Sequence, residues 1–274
     1  MKELGQIKWE SMCANVVNKM IDSVQPYLTP ISKELSKIEG EHLGSASYIE
    51  FKGIKYIITN EHVLEHLQTH SLTHQFHGNN NIIRISKSAI SESAPVDAAI
   101  SEIPTGIWNL FEHIALAIPQ ARFAQYHNPV ENELLFFAGY SGERSKFIFG
   151  ELVTRLTPYL TQICPFPVCV KEALLKYHFS LLYQPDLALS VEGSSHLPDP
   201  HGFSGSLVWD TKFVACLKDD IEWDPEMAKV TGIVWGWPSA AACILATKIE
   251  YLDINKLANY NNPNNLRVSN RKDL

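Results

Sequence analysis

Short strand-like runs, separated by loops rich in proline, glycine and asparagine, recur along most of this chain and limit what it can fold into. Residues 47–51 and 54–60 flank a Lys52-Gly53 turn and predict a β-hairpin. Such runs, with no helical segments alternating between them, favour an antiparallel β-barrel or sandwich over βαβ units. Further runs lie at 82–85, 98–100, 134–138, 147–153, 178–183, 206–209, 214–217, 230–235 and 243–246.

The two ends of the chain differ from this pattern. Apolar residues at helical spacing, from Trp9 to Val24, predict a helix over 9–24, and Pro26 and Pro30 then interrupt the spacing. A turn and a short second helix are expected after it, so residues 1–40 are predicted to form a helical extension. The asparagine-rich residues 259–274 predict a flexible tail.

Composition narrows the possible functions. The chain has 274 residues, of which 45% are apolar, enough for one large domain or two small lobes. Its net charge is −7 and it has no basic stripe, which argues against a nucleic-acid partner. No apolar run approaches the ~18 residues of a membrane span, so neither a membrane nor a secretory route is expected. The cysteines suggest neither a disulfide framework nor a zinc site, and a cytoplasmic location is expected; they are Cys13, Cys164, Cys169, Cys216 and Cys243.

Three polar residues stand at positions where chemistry is plausible. Ser204 lies between Gly202 and Gly205, and a serine nucleophile needs a sharp turn that exposes its oxygen and aims backbone N–H groups at an oxyanion. His62 directly follows an apolar strand, and Asp97 enters an apolar run at 95–100. A histidine base oriented by a carboxylate could take the serine proton, so these residues form a candidate catalytic triad.

The segments that carry these residues resemble the chymotrypsin/trypsin-like serine proteases, especially bacterial intracellular members. The similar segments are 44–63, 97–100, 198–206 and 230–236, and the resemblance covers about 42–252. It implies an all-β fold of two antiparallel six-stranded β-barrels, following the N-terminal helical extension, with the site in the cleft between them. The first barrel, 41–130, would carry His62 and Asp97, and the second, 131–258, would carry Ser204.

The same resemblance implies a role for each residue. Ser204 would attack the scissile carbonyl, with His62 as general base and then acid and Asp97 orienting His62. The backbone N–H groups of Gly202 and Ser204 would form the oxyanion hole. The expected activity is a serine endopeptidase of restricted specificity, or one regulated by a protein partner, acting on a protein or peptide substrate without cofactor or metal. The residues implied to contact substrate are Pro198, Val234, Trp235 and Gly236.

The sequence departs from the family pattern in three places. Position 206 is serine where glycine is usual, in a slot that tolerates small residues. Position 203 is phenylalanine where secreted members have an aspartate that pairs with a freed N-terminus, and residues 1–40 precede the barrel with no recognisable cleavage signal. Activation by a new N-terminus is therefore not expected, and the oxyanion hole must be preformed or ordered by something else, such as a partner.

An insertion is expected within 105–195, where 155–176 is least strand-like and could contact substrate or partner. Pro198 gives no support for a basic P1 preference, so an apolar or small P1 residue is expected.

Alternatives to this interpretation remain open. The fold could persist as a catalytically inactive protein-binding module. Asp186 stands in a similar Asp-x-Ala sequence to Asp97, although it falls on the second barrel. A third hypothesis is a metal site, because a continuous helix would place histidines four residues apart on one face. That ladder would consist of His62, His66, His70 and His74, with His77 just beyond.

Overall fold

The architecture comes from a computed structural model that describes residues 2–36, 38–85, 89–148, 151–188 and 197–259. The predicted tail, 259–274, lies outside these residues except for Asn259. Five α-helices occur in the described ranges: α1 (Lys2–Val24), α2 (Glu61–Leu64), α3 (Thr105–Leu110), α4 (Phe213–Lys218) and α5 (Ile254–Asn259). None of the described helices combines the length and the apolar character needed to cross a membrane.

The described strands form two separate sheets, and nearly all of their pairings are antiparallel. The first sheet has the strand order β5-β4-β1-β2-β3-β7-β6, with β8 added in parallel to β2. Its strands are β1 (Leu28–Glu34), β2 (Gly40–Phe51), β3 (Ile54–Thr59), β4 (Leu72–His74), β5 (Ile83–Arg84), β6 (Ala89–Glu92), β7 (Ala98–Ile103) and β8 (Ile118–Pro119).

The second sheet has six strands in the order β10-β9-β12-β13-β14-β11. Its strands are β9 (Leu135–Ile148), β10 (Glu151–Thr161), β11 (His178–Leu182), β12 (Leu207–Asp210), β13 (Lys229–Gly236) and β14 (Cys243–Lys248). The chain after β10 returns to β11, where Leu182 N–H donates to Gln162 O at 3.0 Å and Cys164 N–H donates to Ser180 O at 3.1 Å. These bonds join the two ends of the strand order, so this sheet curves round on itself.

Among the described residues, one of three buried apolar clusters is shared by the N-terminal helix and the two sheets, and each sheet also has a cluster of its own. The buried face of α1 carries Val16, Met20 and Val24, each with none of its surface exposed. These side chains belong to the same cluster as Ile58 of the first sheet and Trp209 of the second. Burial of apolar surface at this seam holds the sheets in a fixed relation, which matters because the candidate site lies along it.

Several predicted elements differ from the structure. Residues 28–34 form β1 instead of a second helix, because Pro30 offers no helical N–H and Leu28–Ser32 are buried along the neighbouring strand β2. The run 214–217 lies in α4 and not in a strand, since a short apolar run fits either element when both are buried. Part of the segment 155–176 is regular, because β10 extends to Thr161 and pairs with β9.

A buried glutamate explains why α4 forms where it does. Glu133, with 3% of its surface exposed, stands just before β9 and accepts hydrogen bonds from the first turn of α4. Its Oε1 accepts from Val214 N–H at 2.8 Å, and its Oε2 accepts from Ala215 N–H at 3.0 Å. These N–H groups have no partners within the helix, so the carboxylate satisfies them and complements the helix dipole.

Replacing Glu133 with glutamine should therefore destabilise the fold. The amide would turn an NH2 group towards one of these buried N–H donors, and we expect the free energy of unfolding to fall by about 2 kcal/mol. Chemical denaturation measures it, and Glu131→Gln is the matched control because Glu131 is exposed and should change stability by less than about 0.5 kcal/mol. Equal stability of the two variants would contradict the capping role.

Candidate active site

Neighbouring strands of the first sheet bring His62 and Asp97 together. His62 lies in the one-turn helix α2, which begins two residues after β3 ends, and Asp97 immediately precedes β7. Strands β3 and β7 pair with Thr59 opposite Ala99, so the end of one strand faces the start of the other. Asp97 has a φ of 50°, a left-handed conformation that aspartate tolerates better than most residues.

The Asp97 carboxylate accepts two hydrogen bonds from His62. The ring Nδ1 lies 2.7 Å from Oδ2, and the backbone N–H of His62 donates to Oδ1 at 3.1 Å. With Asp97 ionised, Nδ1 carries the proton and Nε2 is left with a free lone pair. This is the tautomer that a general base needs, because the lone pair can accept a proton from a nucleophile.

The electrostatics of His62 follow from the same contact. Burial by itself lowers the pKa of the ring, but the hydrogen bond and the charge of Asp97 oppose this, aided by the charges of Glu65 and Glu61. The balance places the pKa of His62 above the ordinary value for histidine. The imidazolium form is thus favoured by the Asp97 carboxylate, as is required of a base that must hold a proton during a reaction.

Two residues of the second sheet hold the loop that carries Asp97. His178 of β11 accepts a hydrogen bond at Nδ1 from Leu174 N–H (2.9 Å), so its Nε2–H donates to Pro95 O at 2.7 Å. Thr247 of β14 donates its hydroxyl to Val96 O at 2.9 Å. Two consecutive carbonyls before Asp97 are therefore fixed from across the seam. The sequence did not indicate either residue, because a bond to a distant carbonyl leaves no local pattern.

Ser204 lies in a loop built from two successive tight turns. Phe203 N–H donates to Pro200 O at 3.0 Å, and Ser206 N–H donates to Phe203 O at 2.9 Å. The third residue of each turn is a glycine with positive φ, Gly202 at 100° and Gly205 at 89°, as turns of type II require. The loop is continuous with β12, and Ser204 is half-buried.

This loop meets the first sheet beside His62. The N–H of Ser45 donates to Ser204 O at 2.8 Å. A methyl group placed on Gly44 would lie 3.0 Å from Ser204 O and 3.0 Å from a methyl of Val63, the residue after His62. Glycine at position 44 therefore allows the serine loop and the histidine helix to approach each other closely.

The structure thus brings His62 and Asp97 into direct contact and places the backbone of Ser204 against the first sheet close to Val63. Among the described residues, Ser204 Oγ makes no hydrogen bond to the His62 ring. The ring is hydrogen-bonded to Asp97. In enzymes without substrate the contact between nucleophile and base is often long, and it tightens when substrate binds. Asp186 lies in a 3-10 turn at Pro185–Leu187, and the carboxylate bonded to His62 is that of Asp97.

The backbone N–H groups of Gly202 and Ser204 are candidate oxyanion donors. Neither has an acceptor among the described residues, whereas the N–H groups of Phe203, Gly205 and Ser206 are all bonded. Two N–H groups without internal partners on a tight loop can stabilise negative charge on a bound carbonyl oxygen.

The predicted substrate-contacting residues lie in two places near the loop. Pro198 is buried, and its carbonyl accepts a hydrogen bond from the Tyr183 hydroxyl at 2.7 Å. Val234 is bonded to the serine loop through Gly205 N–H and Ser206 O, each at 2.9 Å. Trp235 and Gly236 follow at the half-buried end of β13, where the register to β14 shifts between Val234 and Gly236.

The histidine ladder that was left open as an alternative metal site does not form in the described residues. The α-helix ends at Leu64 and continues as a 3-10 turn over Glu65–Gln68, so the four-residue spacing does not hold the histidines on one face. His74 lies in β4 with its Nδ1 2.9 Å from the Tyr48 hydroxyl, and burial lowers its pKa to about 3. Within the described ranges, no three potential metal-binding side chains lie together.

Comparison with known proteins gives similarity in fold and not in sequence. No protein-family profile matches the chain, and a search of curated proteins finds no match. A solved structure of an inactivated protease paralogue from the scabies mite is 11% identical, covers 88% of this chain and 97% of its own, and has a TM-score of 0.54. VesB protease of Vibrio cholerae is 12% identical over 86% of this chain and 64% of its own, with a TM-score of 0.49.

Tobacco etch virus protease, solved with product, is 11% identical over 86% of this chain and 79% of its own, with a TM-score of 0.47. Of these three structures, the scabies mite structure has the highest TM-score, and the assignment of the fold relies on it. Together with the two antiparallel sheets, it confirms the predicted fold class: the chain has a chymotrypsin-like fold with an N-terminal helix. The first sheet has eight described strands where six were predicted, because the very short β5 and β8 add to it.

Proposed function

We propose that this chain is a serine endopeptidase in which Ser204, His62 and Asp97 act as a catalytic triad. The observation that carries the proposal is the double hydrogen bond from His62 to Asp97, beside a serine loop in which two N–H groups have no acceptor among the described residues. A buried carboxylate that fixes the tautomer of a histidine, near a serine on a sharp turn, is the arrangement that acyl transfer requires. In this proposal the unit 41–130 supplies His62 and Asp97, and the unit 131–258 supplies Ser204.

The reaction would proceed through an acyl-enzyme. Ser204 Oγ attacks the carbonyl carbon of a peptide bond while its proton passes to His62 Nε2, and the carbonyl oxygen gains its negative charge next to the N–H groups of Gly202 and Ser204. His62 then gives the proton to the departing amine, and the C–N bond breaks. A water molecule, deprotonated by His62, attacks the ester in the second half and releases the acid product.

The substrate would be a protein or peptide whose backbone pairs with the end of β13. Pro198 at the base of the proposed P1 pocket offers no charge, and its carbonyl already accepts the Tyr183 hydroxyl. This supports a preference for an apolar or small P1 residue. We expect a bacterial intracellular enzyme acting in the cytoplasm, which agrees with five cysteines that form no disulfide bond in the described residues.

A fluorophosphonate probe on the purified full-length chain tests the proposal. The Oγ of an activated serine attacks the phosphorus of the probe and fluoride leaves, which gives a phosphonylated serine, and we expect a single adduct on the peptide that contains Ser204. The measurement is mass mapping of the adduct together with the second-order labelling rate. A folded chain that is not labelled, or that is labelled elsewhere, contradicts the proposal and favours the alternative, a catalytically inactive fold that binds other proteins.

A further inference from the structure

Ser45 of β2 uses every one of its polar groups, and most of them hold the serine loop. The side chain is 1% exposed. Its Oγ donates to Gly202 O at 2.7 Å and accepts from Tyr140 N–H at 2.8 Å. Its backbone N–H donates to Ser204 O at 2.8 Å, and its carbonyl accepts the Thr59 hydroxyl at 2.7 Å.

The two carbonyls bound by Ser45 belong to the residues that carry the unpaired N–H groups. Peptide units are planar, so fixing the carbonyls of Gly202 and Ser204 restricts the orientation of the one peptide unit between them, which carries the N–H of Ser204. The unit that carries the N–H of Gly202 is fixed at its own carbonyl, because His201 O accepts from Gly142 N–H at 2.9 Å. A further contact comes from Gly205, where an added methyl group would lie 2.0 Å from Ser45 O, closer than any side chain could approach.

The remaining residue of the loop is anchored on the opposite side. Phe203 is 1% exposed, and its ring packs 5.7 Å from that of Phe137 and 6.3 Å from that of Tyr183. The Phe203 side chain thus packs the loop against the second sheet, and the hydrogen bonds from Ser45 to two loop carbonyls attach it to the first sheet. An aspartate that pairs with a freed N-terminus, the device of secreted proteases that the chain resembles, has no counterpart at position 203.

We propose that Ser45 is a positioning residue that keeps the oxyanion hole assembled, so that the 274-residue chain needs neither N-terminal cleavage nor a partner to form it. This inference rests on the proposed function. It names the residue that replaces the activation device missing from position 203. Removing the Ser45 hydroxyl would take a donor from Gly202 O and the acceptor from Tyr140 N–H, and of the two Ser45 bonds to the loop it would leave the one from Ser45 N–H to Ser204 O.

The test compares Ser45→Ala with Ser47→Ala in the full-length chain. Ser47 is a matched control because it lies on the same strand, is fully buried, and its hydroxyl has no partner in the described part of the chain. The readout is the rate of Ser204 labelling by a fluorophosphonate, measured on folded protein well below each melting temperature. Loss of an oxyanion donor lowers rates about 100- to 1,000-fold, and we expect displacement of the donors to lower the labelling rate at least ~10-fold in Ser45→Ala.

The Ser47→Ala variant should be labelled within about twofold of the wild-type rate, since its hydroxyl holds nothing. Amide hydrogen exchange adds a readout that does not depend on activity. We expect Gly205 and Ser206 N–H groups to exchange faster in Ser45→Ala and unchanged in Ser47→Ala. The inference would be overturned by a folded Ser45→Ala variant that is labelled at the wild-type rate and whose Gly205 and Ser206 N–H groups exchange as slowly as in the wild type.

A further measurement applies even if Ser45→Ala does not fold. Intact mass spectrometry of the labelled wild-type chain should show an uncleaved N-terminus, without any added protein. Labelling that appears only after N-terminal cleavage or addition of a partner overturns the inference while leaving the proposed function in place. A folded wild-type chain that is labelled under none of these conditions counts against the proposed function, and amide exchange then decides the role of Ser45 separately.

Discussion

Replacing Ser204 with alanine should abolish peptide hydrolysis while leaving the fold intact. Removal of the serine from a complete triad lowers kcat by about 10⁶-fold, because the acyl-enzyme can no longer form. Ser204 is half-buried and its hydroxyl makes no hydrogen bond among the described residues, so its loss should change stability by less than about 1 kcal/mol. Hydrolysis of a peptide library and thermal unfolding measure the two effects.

Ser206→Ala is the matched control for this experiment. Ser206 lies two residues away, but its hydroxyl is fully buried and has no partner in the described part of the structure. Deleting an unpaired buried hydroxyl costs little, so we expect hydrolysis within about twofold of wild type. If Ser206→Ala were inactive and Ser204→Ala active, the nucleophile would be misassigned.

Replacing Asp97 with asparagine should lower kcat by about 10⁴-fold, the second largest effect expected. An amide offers only one acceptor oxygen, whereas Asp97 accepts both the Nδ1–H and the backbone N–H of His62. With its NH2 group turned to the ring, asparagine would favour the tautomer that carries its proton on Nε2. His62 could then no longer act as a base. The melting temperature, measured alongside, separates this effect from loss of the fold.

The pH dependence provides a second readout for the same variant. Hydrolysis needs neutral His62, so the rate should fall as the pH drops through its pKa, which lies above the ordinary value near 6.5. Without the hydrogen bond and charge of Asp97, that pKa falls, and the acidic limb of the residual activity should move to lower pH. An acidic limb at the same pH in both proteins would contradict the assignment of Asp97.

The sign of the stability effect follows from the raised pKa of His62. The His62–Asp97 interaction stabilises the fold while the His62 ring is protonated. This stabilisation is complete below the pKa that His62 has in the unfolded chain, and it is lost as the pH rises through the higher pKa that His62 has in the folded protein. Asp97→Asn should therefore reduce the free energy of unfolding more at about pH 5 than at about pH 9.

Much of the fold and site could be predicted because the informative residues are local. The hairpin of β2 and β3 follows from the strand-like runs on either side of the Lys52-Gly53 turn. His62 and Asp97 lie next to the ends of β3 and β7, two strands that pair in the structure. The strand β1 and the helix α4 were missed because burial and a distant carboxylate decide them.

The supporting contacts could not be predicted for a related physical reason. The supporting hydrogen bonds all go to backbone carbonyls, and their donors are Ser45, His178 and Thr247. Every residue has a backbone carbonyl, so the type of the accepting residue carries no information. Nothing in the residue types therefore marks the pairing. The histidine ladder shows the converse, since a regular spacing suggested a metal site that the short helix α2 does not sustain.

The bonds that cross the seam have a consequence for how the protein is made. The carbonyls beside Asp97 are bound by His178 and Thr247, and Thr247 belongs to β14, the final strand in the described ranges. A polypeptide still emerging from the ribosome carries His62 and Asp97 long before it carries Thr247. Such a nascent chain holds the His62 and Asp97 of the proposed triad before it holds the contacts that fix the Asp97 loop, so in the proposed enzyme this part of the site is complete only after β14 has been made.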